Sequence, residues 1–305
     1  MSMPPFRDYA GPSDLRAMQG LTQRVWSERS PFHIGNLAWE RFEHVGRDSE
    51  WPTRLWLEGD TVRAWGWIQD GGHLYFQIDP ARADLFDDVF AWFEATATGD
   101  LTTVALDNDP DGVARLAGRG YRALGEEHPF ALRMSRTLDD LPPVVLPGGF
   151  HALSMAQVGD SERRALAHRN AWSRIAGREA DPPGRSRVTG ESYRQVMAAW
   201  PYRPDLDWVI EAPDGRLAAN ACLWLDEVHG AGLFEPVGTD ADFRRLGLGQ
   251  AVCLAALHAL RAVGGRIALV GPRGDDGYPV PRALYAGVGF TAYARDIVHA
   301  RKRLA

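Results

Sequence analysis

Residues 235–249 read EPVGTDADFRRLGLG and contain the most informative motif of the 305-residue chain. The pattern predicts a strand that ends near Thr239, a turn with two arginines, and a long helix over residues 249–263. The glycines Gly247 and Gly249 allow the main chain to take positive φ angles and to approach a ligand closely. The first N–H groups of a helix have no partner inside it, so this turn predicts an anion site suited to a diphosphate.

A second motif lies downstream, where residues 284–290 read LYAGVGF. It predicts a short helix over residues 281–287, followed by a strand over residues 291–300. Two further strands are predicted, at residues 232–239 and 266–270. Strands therefore alternate with helices along this part of the chain, which predicts an α/β fold.

The same order of elements occurs twice in the sequence. LAGRGY at residues 116–121 resembles YAGVGF at residues 285–290, which indicates an internal repeat. Between the copies, residues 138–149 are rich in proline and glycine and read as a linker. We therefore predict two domains, at residues 1–141 and 148–305.

Together the two motifs resemble those of the GNAT superfamily of acyl-CoA-dependent N-acetyltransferases. The turn matches the family's [QR]-x-x-G-x-[GA] loop, and LYAGVGF is similar to the family's second signature. The similarity extends from Phe150 to the C-terminus. It implies two tandem GNAT-like domains, each a mixed, mostly antiparallel sheet flanked by helices, with a degenerate N-terminal copy.

The resemblance also implies the residues that bind acetyl-CoA, the expected co-substrate. Main-chain groups of the central strand would hold the pantetheine arm, here Val237, Gly238 and Thr239. Loop amides would hold the pyrophosphate, and the matching residues are Arg244, Arg245, Leu246, Gly247, Leu248, Gly249 and Gln250. In the family, the tyrosine before the glycine-aromatic pair often protonates the departing thiolate, and here that residue is Tyr285.

Acetyl transfer to an amine also needs a base, because amines are protonated near neutral pH. Glu235 precedes the predicted cofactor-binding residues, and the adjacent Pro236 marks a candidate bulge, so we predict Glu235 as the base. A structural carboxylate paired with an arginine is an equal alternative for Glu235. A water chain, or Asp226, Glu227 and His229 on the preceding hairpin, are alternative bases.

The N-terminal copy lacks these features. In place of the glycine loop it has DPARADLFDD at residues 79–88, and carboxylates at a helix start repel a pyrophosphate. Leu116 occupies the position that corresponds to Tyr285. We predict that this copy binds no CoA and instead supports the active domain or shapes the acceptor pocket.

Composition restricts the partners. The formal net charge of −6 argues against a broad cationic face, so we expect no nucleic-acid partner. No apolar run is long enough to span a bilayer, and the N-terminal residues lack a secretory pattern, so we expect a cytoplasmic protein without a membrane partner. Two cysteines, Cys222 and Cys253, form neither a disulfide framework nor a zinc site, and we expect no metal.

These observations predict an N-acetyltransferase that moves an acyl group, in the first place acetyl, from CoA to the amine of a small molecule by direct attack. Two alternatives stay open: a CoA-binding sensor or scaffold without turnover, and an acetyltransferase for protein or peptide amines. The state of assembly, monomer or homodimer, is also open. Aromatic and arginine side chains in the region that borders the acceptor in the family are Trp172, Arg174, Arg178, Arg185, Arg187, Trp200 and Tyr202.

Overall fold

A computed structural model describes residues 5–28, 30–47, 50–125, 128–174 and 186–302. The chain forms two compact units, and neither is a continuous block of sequence. The N-terminal unit comprises Met1–Leu37, Gly46–Phe130 and Ala294–Ala305, and the C-terminal unit comprises Ala38–Val45 and Ala131–Tyr293. The predicted domain boundary between residues 141 and 148 stays a prediction.

The strands of the described residues are β1 (Phe6–Asp8), β2 (Thr53–Glu58), β3 (Thr61–Gln69), β4 (His73–Ile78), β5 (Leu101–Leu106), β6 (Arg122–Ala123), β7 (Ala131–Thr137), β8 (His151–Ser154), β9 (Asp207–Glu211), β10 (Leu217–Asp226), β11 (Ala231–Thr239), β12 (Ile267–Val270) and β13 (Thr291–Arg301). The helices are α1 (Pro12–Arg24), α2 (Ile34–Phe42), α3 (Leu85–Thr96), α4 (Pro110–Gly118), α5 (Met155–Val158), α6 (Ser161–Trp172), α7 (Gly190–Ala198), α8 (Leu248–Ala262) and α9 (Val280–Gly287). The predicted helices at 249–263 and 281–287 are therefore confirmed to within one residue.

Each unit has a mixed sheet in which one neighbouring pair is parallel. In the N-terminal unit, β4 and β5 are parallel, and the pairs β1–β2, β2–β3, β3–β4 and β5–β13 are antiparallel. In the C-terminal unit, β11 and β12 are parallel, and the pairs β8–β9, β9–β10, β10–β11 and β7–β12 are antiparallel. The predicted fold class, a mostly antiparallel sheet flanked by helices in each of two copies, is confirmed.

The last strand of each half of the sequence completes the sheet of the other half. Strand β7 pairs with β12 in the C-terminal unit, and residues Asp296–Arg301 of β13 pair with β5 in the N-terminal unit. Such pairing depends on contacts between residues far apart in the chain, which local sequence patterns do not encode.

The core of the C-terminal unit lies between the sheet and α8. The apolar face of α8, which includes Leu248, Val252 and Leu257, is fully buried against alanines and leucines of β10 and against Phe234 of β11. This packing fixes the N-terminus of α8 beside the end of β11. Among the described residues, no helix has both the length and the apolar character needed to cross a membrane.

Candidate functional site

Strand β11 separates from its parallel neighbour part of the way along its length. The parallel ladder joins Ala231–Leu233 to Ile267–Leu269 of β12, whereas β11 continues to Thr239. On its other side, β11 stays paired with β10 as far as Thr239 opposite Ala219. Beyond Leu233, the edge of β11 that faced β12 therefore pairs with no other strand of the described residues. Its main-chain N–H and C=O groups can pair with an extended ligand.

A bulge interrupts the antiparallel ladder where the separation begins. Phe234 pairs with Leu223 and Val237 pairs with Ala221, so Glu235 and Pro236 together lie opposite a single residue of β10. Pro236 has no N–H to donate, which is compatible with a bulge. The bulge suggested by Pro236 is therefore present.

The turn between β11 and α8 presents main-chain donors. Gly247 is the N-cap of α8 with a φ of 77°, and Arg245 also has a positive φ, of 65°. No described side chain caps this helix. The amides of Leu248, Gly249 and Gln250 consequently have no acceptor within the helix, and the exposed residues before them leave the site open. These donors fit an anionic group such as a diphosphate.

Two glycines allow close packing around this turn. A methyl group added to Gly249 would lie 3.2 Å from Oγ1 of Thr239 and 3.3 Å from a methyl carbon of Leu284. A methyl group added to Gly238 would lie 2.6 Å from Cβ of Ala171 and 2.5 Å from the ring of Trp172. Gly238 is thus required by the contact between β11 and α6.

The two arginines of the turn differ in their contacts. The Arg244 guanidinium donates hydrogen bonds to the main-chain oxygens of Arg174, at 2.6 Å, and of Ala171, at 3.2 Å, at the C-terminal end of α6. Its side chain is thus engaged by α6, although its main chain belongs to the turn. Arg245 is exposed and forms no ion pair with any residue that the structure describes.

Acidic side chains near the turn are paired with other arginines. Asp242 forms ion pairs with Arg174 and, at 3.0 Å, with Arg216. Hydrogen bonds from Arg174 and then Arg216 hold the pKa of Asp242 below its usual value. Asp240 accepts a hydrogen bond from the side chain of Asn170 at 3.1 Å. These pairings reduce the repulsion that a bound diphosphate would meet.

Tyr285 lies on α9 with its ring buried and its hydroxyl unpaired among the described residues. The residue is 6% exposed, and its ring centre lies 5.7 Å from that of Phe290. Burial, followed by the nearby Cys253 and Glu235, raises the pKa of Tyr285 well above its usual value. The phenol therefore keeps its proton at neutral pH.

Glu235 is half-buried on the bulge. Burial, and then the carboxylate of Glu40, raise its pKa to about 8, and the guanidinium of Arg133 opposes this shift. Such a group gains and loses a proton near neutral pH, as a general base requires. Because Glu235 also influences the pKa of Tyr285, the structure brings these two predicted catalytic groups within electrostatic reach of each other.

The alternative bases lie at the hairpin between β10 and β11, at the opposite end of β11 from Thr239. Asp226 accepts hydrogen bonds from the amide of Val228, at 3.0 Å, and from the ring of His229, at 2.8 Å. Glu227 is exposed and pairs with Arg203 at 3.1 Å. These contacts give the cluster a role in the turn.

A buried polar network holds α6 and α7 on the sheet. Arg164 and Asp207 form a fully buried ion pair at 3.0 Å. The hydroxyls of Tyr193 and Tyr202 both donate to the second oxygen of Asp207, the latter at 3.0 Å. Paired and hydrogen-bonded charges of this kind orient the helices that carry them.

The predicted acceptor region lies partly outside the described residues, since Arg178 and Arg185 belong to residues 175–185. Trp172 stacks on His168 with ring centres 4.2 Å apart. Arg174 pairs with Asp242, Tyr202 donates to Asp207, and Arg187 and Trp200 are exposed.

In the N-terminal unit, the turn between β4 and α3 corresponds to the glycine turn and carries carboxylates. Asp79 accepts a hydrogen bond from the amide of Ala81 at 3.0 Å and pairs with Arg63 at 2.8 Å. Asp87 and Asp88 lie in the first turn of α3. The prediction that this copy binds no CoA stays a prediction. In the described residues, no group of three or more His, Cys, Asp or Glu side chains is placed to hold a metal ion.

The chain is similar to a mycothiol acetyltransferase of Thermomonospora curvata, with 31% identity over 208 residues, which cover 67% of this chain and 61% of that protein. The chain thus spans about three fifths of the length of the curated relatives it matches. No family model matches the sequence.

Two solved structures share the architecture over nearly their whole length. A tandem GNAT protein from the clavulanic acid biosynthesis pathway has a TM-score of 0.63 at 16% identity and covers 98% of each chain. A GCN5-related N-acetyltransferase from Sphaerobacter thermophilus has a TM-score of 0.58 at 19% identity and covers 97% of this chain and 95% of that one. The architecture is that of a tandem GNAT protein. The fold that the two motifs predicted, that of tandem GNAT proteins, is therefore confirmed.

Proposed function

We propose that the protein is an acyl-CoA-dependent N-acetyltransferase that acetylates an amine of a small molecule. The observation that carries the proposal is the unpaired edge of β11 beyond Leu233, which ends beside the uncapped N-terminus of α8. The strand edge fits an extended chain, and the helix N-terminus fits a diphosphate at the end of that chain. A relative named for mycothiol supports a small-molecule acceptor.

The co-substrate acetyl-CoA would bind along this path. Main-chain groups of residues 237–239 would pair with its pantetheine arm, and the amides of Leu248, Gly249 and Gln250 would hold its diphosphate. Arg245 adds positive charge there, whereas the Arg244 guanidinium remains bound to α6.

Glu235 and Tyr285 are the candidate base and acid for the reaction. Glu235 would remove the proton of the amine, directly or through water, so that the nitrogen can attack the thioester carbonyl carbon. As the N–C bond forms and the C–S bond breaks, Tyr285 would donate its phenolic proton to the thiolate sulfur. The second proton of the nitrogen would pass through water to the phenolate, which gives the neutral amide and restores Tyr285. A main-chain N–H of residues 237–239 would stabilise the developing oxyanion.

Thermal unfolding and thiol release together test the proposal. Acetyl-CoA in excess should raise the melting temperature by mass action, and free CoA should accumulate when amines are added. The panel includes aliphatic amines, amino sugars and a lysine-containing peptide. No thermal shift at millimolar acetyl-CoA would overturn CoA binding. A shift without turnover would favour the sensor or scaffold alternative, and turnover of the peptide alone would replace the small-molecule acceptor.

A further inference from the structure

We propose that Phe290 determines which acyl groups the protein accepts, and that its ring, together with those of Phe234 and Tyr285, restricts them to acetyl. The inference rests on the proposed function and extends it from the cofactor to the length of the acyl chain. Phe290 is the last residue of the second motif, LYAGVGF, which by itself gives the residue no chemical role.

The direction of the candidate CoA path determines where the acyl group would lie. The N-terminus of α8, which would hold the diphosphate, lies beside the end of β11, since a methyl group added to Gly249 would lie 3.2 Å from Oγ1 of Thr239. A pantetheine arm paired with residues 237–239 therefore runs back along β11 towards Leu233. The acyl group follows the arm and would point to the closed end of the gap, where Leu233 pairs with Leu269 of β12.

Three buried aromatic rings lie at this closed end. Phe234 is the first residue of β11 beyond the ladder, and its ring centre lies 6.1 Å from that of Phe290. The ring centre of Phe290 lies in turn 5.7 Å from that of Tyr285 on α9. The three residues are 4%, 3% and 6% exposed, and they belong to one hydrophobic cluster. The rings thus form a continuous row from β11 to α9, which we call the aromatic floor.

The main chain holds Phe290 in the middle of the aromatic floor. Its N–H donates to the main-chain oxygen of Tyr285 at 3.0 Å, and Gly289 has a φ of 94°, so the chain turns back at the end of α9. This turn does not depend on the ring of Phe290. A smaller side chain at this position would therefore enlarge the acyl site while the candidate acid keeps its place.

The reaction places the acyl carbon close to the aromatic floor. In the proposed mechanism the nitrogen attacks from the side of Glu235 and the sulfur leaves beside Tyr285, so the carbonyl carbon lies between these two groups. An acetyl methyl needs little room beyond that carbon, whereas a longer chain must displace a ring. Close-packed cores resist added methylene groups, and one methylene in an apolar pocket changes selectivity by about tenfold or more. Phe290, whose ring contacts both others, therefore has the largest effect on chain length.

Binding of a thioester series tests the inference without an acceptor. Isothermal titration compares CoA, acetyl-CoA, butyryl-CoA and hexanoyl-CoA on the wild-type chain, on Phe290→Leu and on a control, Phe150→Leu. Phe150 forms a similar edge-to-face pair with Phe243, 6.0 Å between ring centres, in the turn at the diphosphate end of the path. Loss of that pair should change all four affinities alike.

The affinity ratio between thioesters is the quantity that decides. Wild type should bind acetyl-CoA about tenfold or more tightly than butyryl-CoA, and Phe290→Leu should lose most of this preference. The control should keep the wild-type ratio. Phe234→Leu, which enlarges the aromatic floor from the side of β11, should shift the ratio in the same direction and replaces Phe290→Leu if that variant does not fold. Melting temperatures show which variants are folded.

The outcomes separate the inference from the proposed function. Equal binding of all thioesters by wild type overturns the inference, as does an unchanged ratio in the folded floor variants, and the CoA site then stands. If neither CoA nor any thioester binds, the proposed function fails, and the inference fails with it. If the ratio changes as expected but no amine is acetylated, turnover fails while selection of the acyl group by Phe290 stands.

Discussion

The indole Nε1 of Trp224 donates a hydrogen bond to the main-chain oxygen of Glu235, and the two atoms are 2.6 Å apart. This bond spans the bulge at which β11 leaves its regular pairing with β10. It fixes the main chain of Glu235 beside the candidate CoA-binding edge of β11. The side chain of Glu235 therefore extends from a fixed point of the main chain.

Replacing Trp224 with phenylalanine should therefore affect both stability and activity. A smaller aromatic ring remains, but the oxygen of Glu235 loses its partner, which costs about 1–3 kcal/mol of unfolding free energy. Urea denaturation measures this cost, and kcat should fall with it. Trp208→Phe is the matched control, because that indole donates to the main-chain oxygen of Asp205 at 3.0 Å and not to β11. Equal losses of kcat in both variants would contradict the role of Trp224.

Tyr285→Phe should lower kcat while acetyl-CoA affinity is retained. The substitution removes the acidic proton but keeps the ring that packs on Phe290. Loss of a general acid typically costs about 100-fold or more in rate. Isothermal titration with acetyl-CoA and steady-state kinetics separate the two effects. A variant that keeps its wild-type kcat would show that another group protonates the thiolate.

The pH dependence of kcat/KM should show whether Glu235 acts as the base. Its pKa of about 8 predicts that kcat/KM rises with pH up to about 8, and Glu235→Gln should remove this rise and lower kcat by about 100-fold.

The dependence of folding stability on pH gives an independent test of the raised pKa of Glu235. A carboxyl whose folded-state pKa is raised stabilises the fold below its ordinary value of 4.5, and this contribution is lost as pH rises through about 8. Glu235→Gln should thus gain stability relative to wild type at pH 9 compared with pH 4. Parallel stability curves for the two proteins would disprove the shift.

Two glycine substitutions should separate ligand binding from helix packing. Gly247→Ala places a side chain at a φ of 77° in open space, so we expect a loss of about 1 kcal/mol and weaker acetyl-CoA binding. Gly238→Ala drives a methyl group into Trp172 and Ala171, so we expect a loss of about 1–3 kcal/mol. Differential scanning calorimetry with and without acetyl-CoA distinguishes them. A larger loss of stability in Gly247→Ala would contradict this assignment.

The two arginines of the turn should behave differently. Arg244→Ala removes two hydrogen bonds to the end of α6 and should lower the melting temperature. Arg245→Ala removes an exposed charge and should weaken acetyl-CoA binding, with less dependence on salt, at little cost in stability. Binding measured at two salt concentrations, together with melting curves, checks both outcomes. The reverse pattern would assign the phosphate contact to Arg244.

The sequence predicts the features of the candidate site that depend on local chemistry. The positive φ of Gly247 and the boundaries of α8 and α9 follow from glycines and apolar spacing over a few residues. The engagement of Arg244 by α6 could not be predicted, because it depends on where a distant helix ends. The packing of the C-terminal part of α2 against α6 and α7 could not be predicted for the same reason.

The exchange of β7 and β13 determines how this polypeptide can be divided. A cut in the proline-rich linker would leave the first fragment without β13, the antiparallel partner of β5, and the second without β7, the antiparallel partner of β12. Each fragment would expose an unpaired strand edge, which favours aggregation. Although the sequence contains an internal repeat, its two halves are therefore not independent modules, and deletion of the N-terminal copy would remove β7 from the sheet of the C-terminal unit.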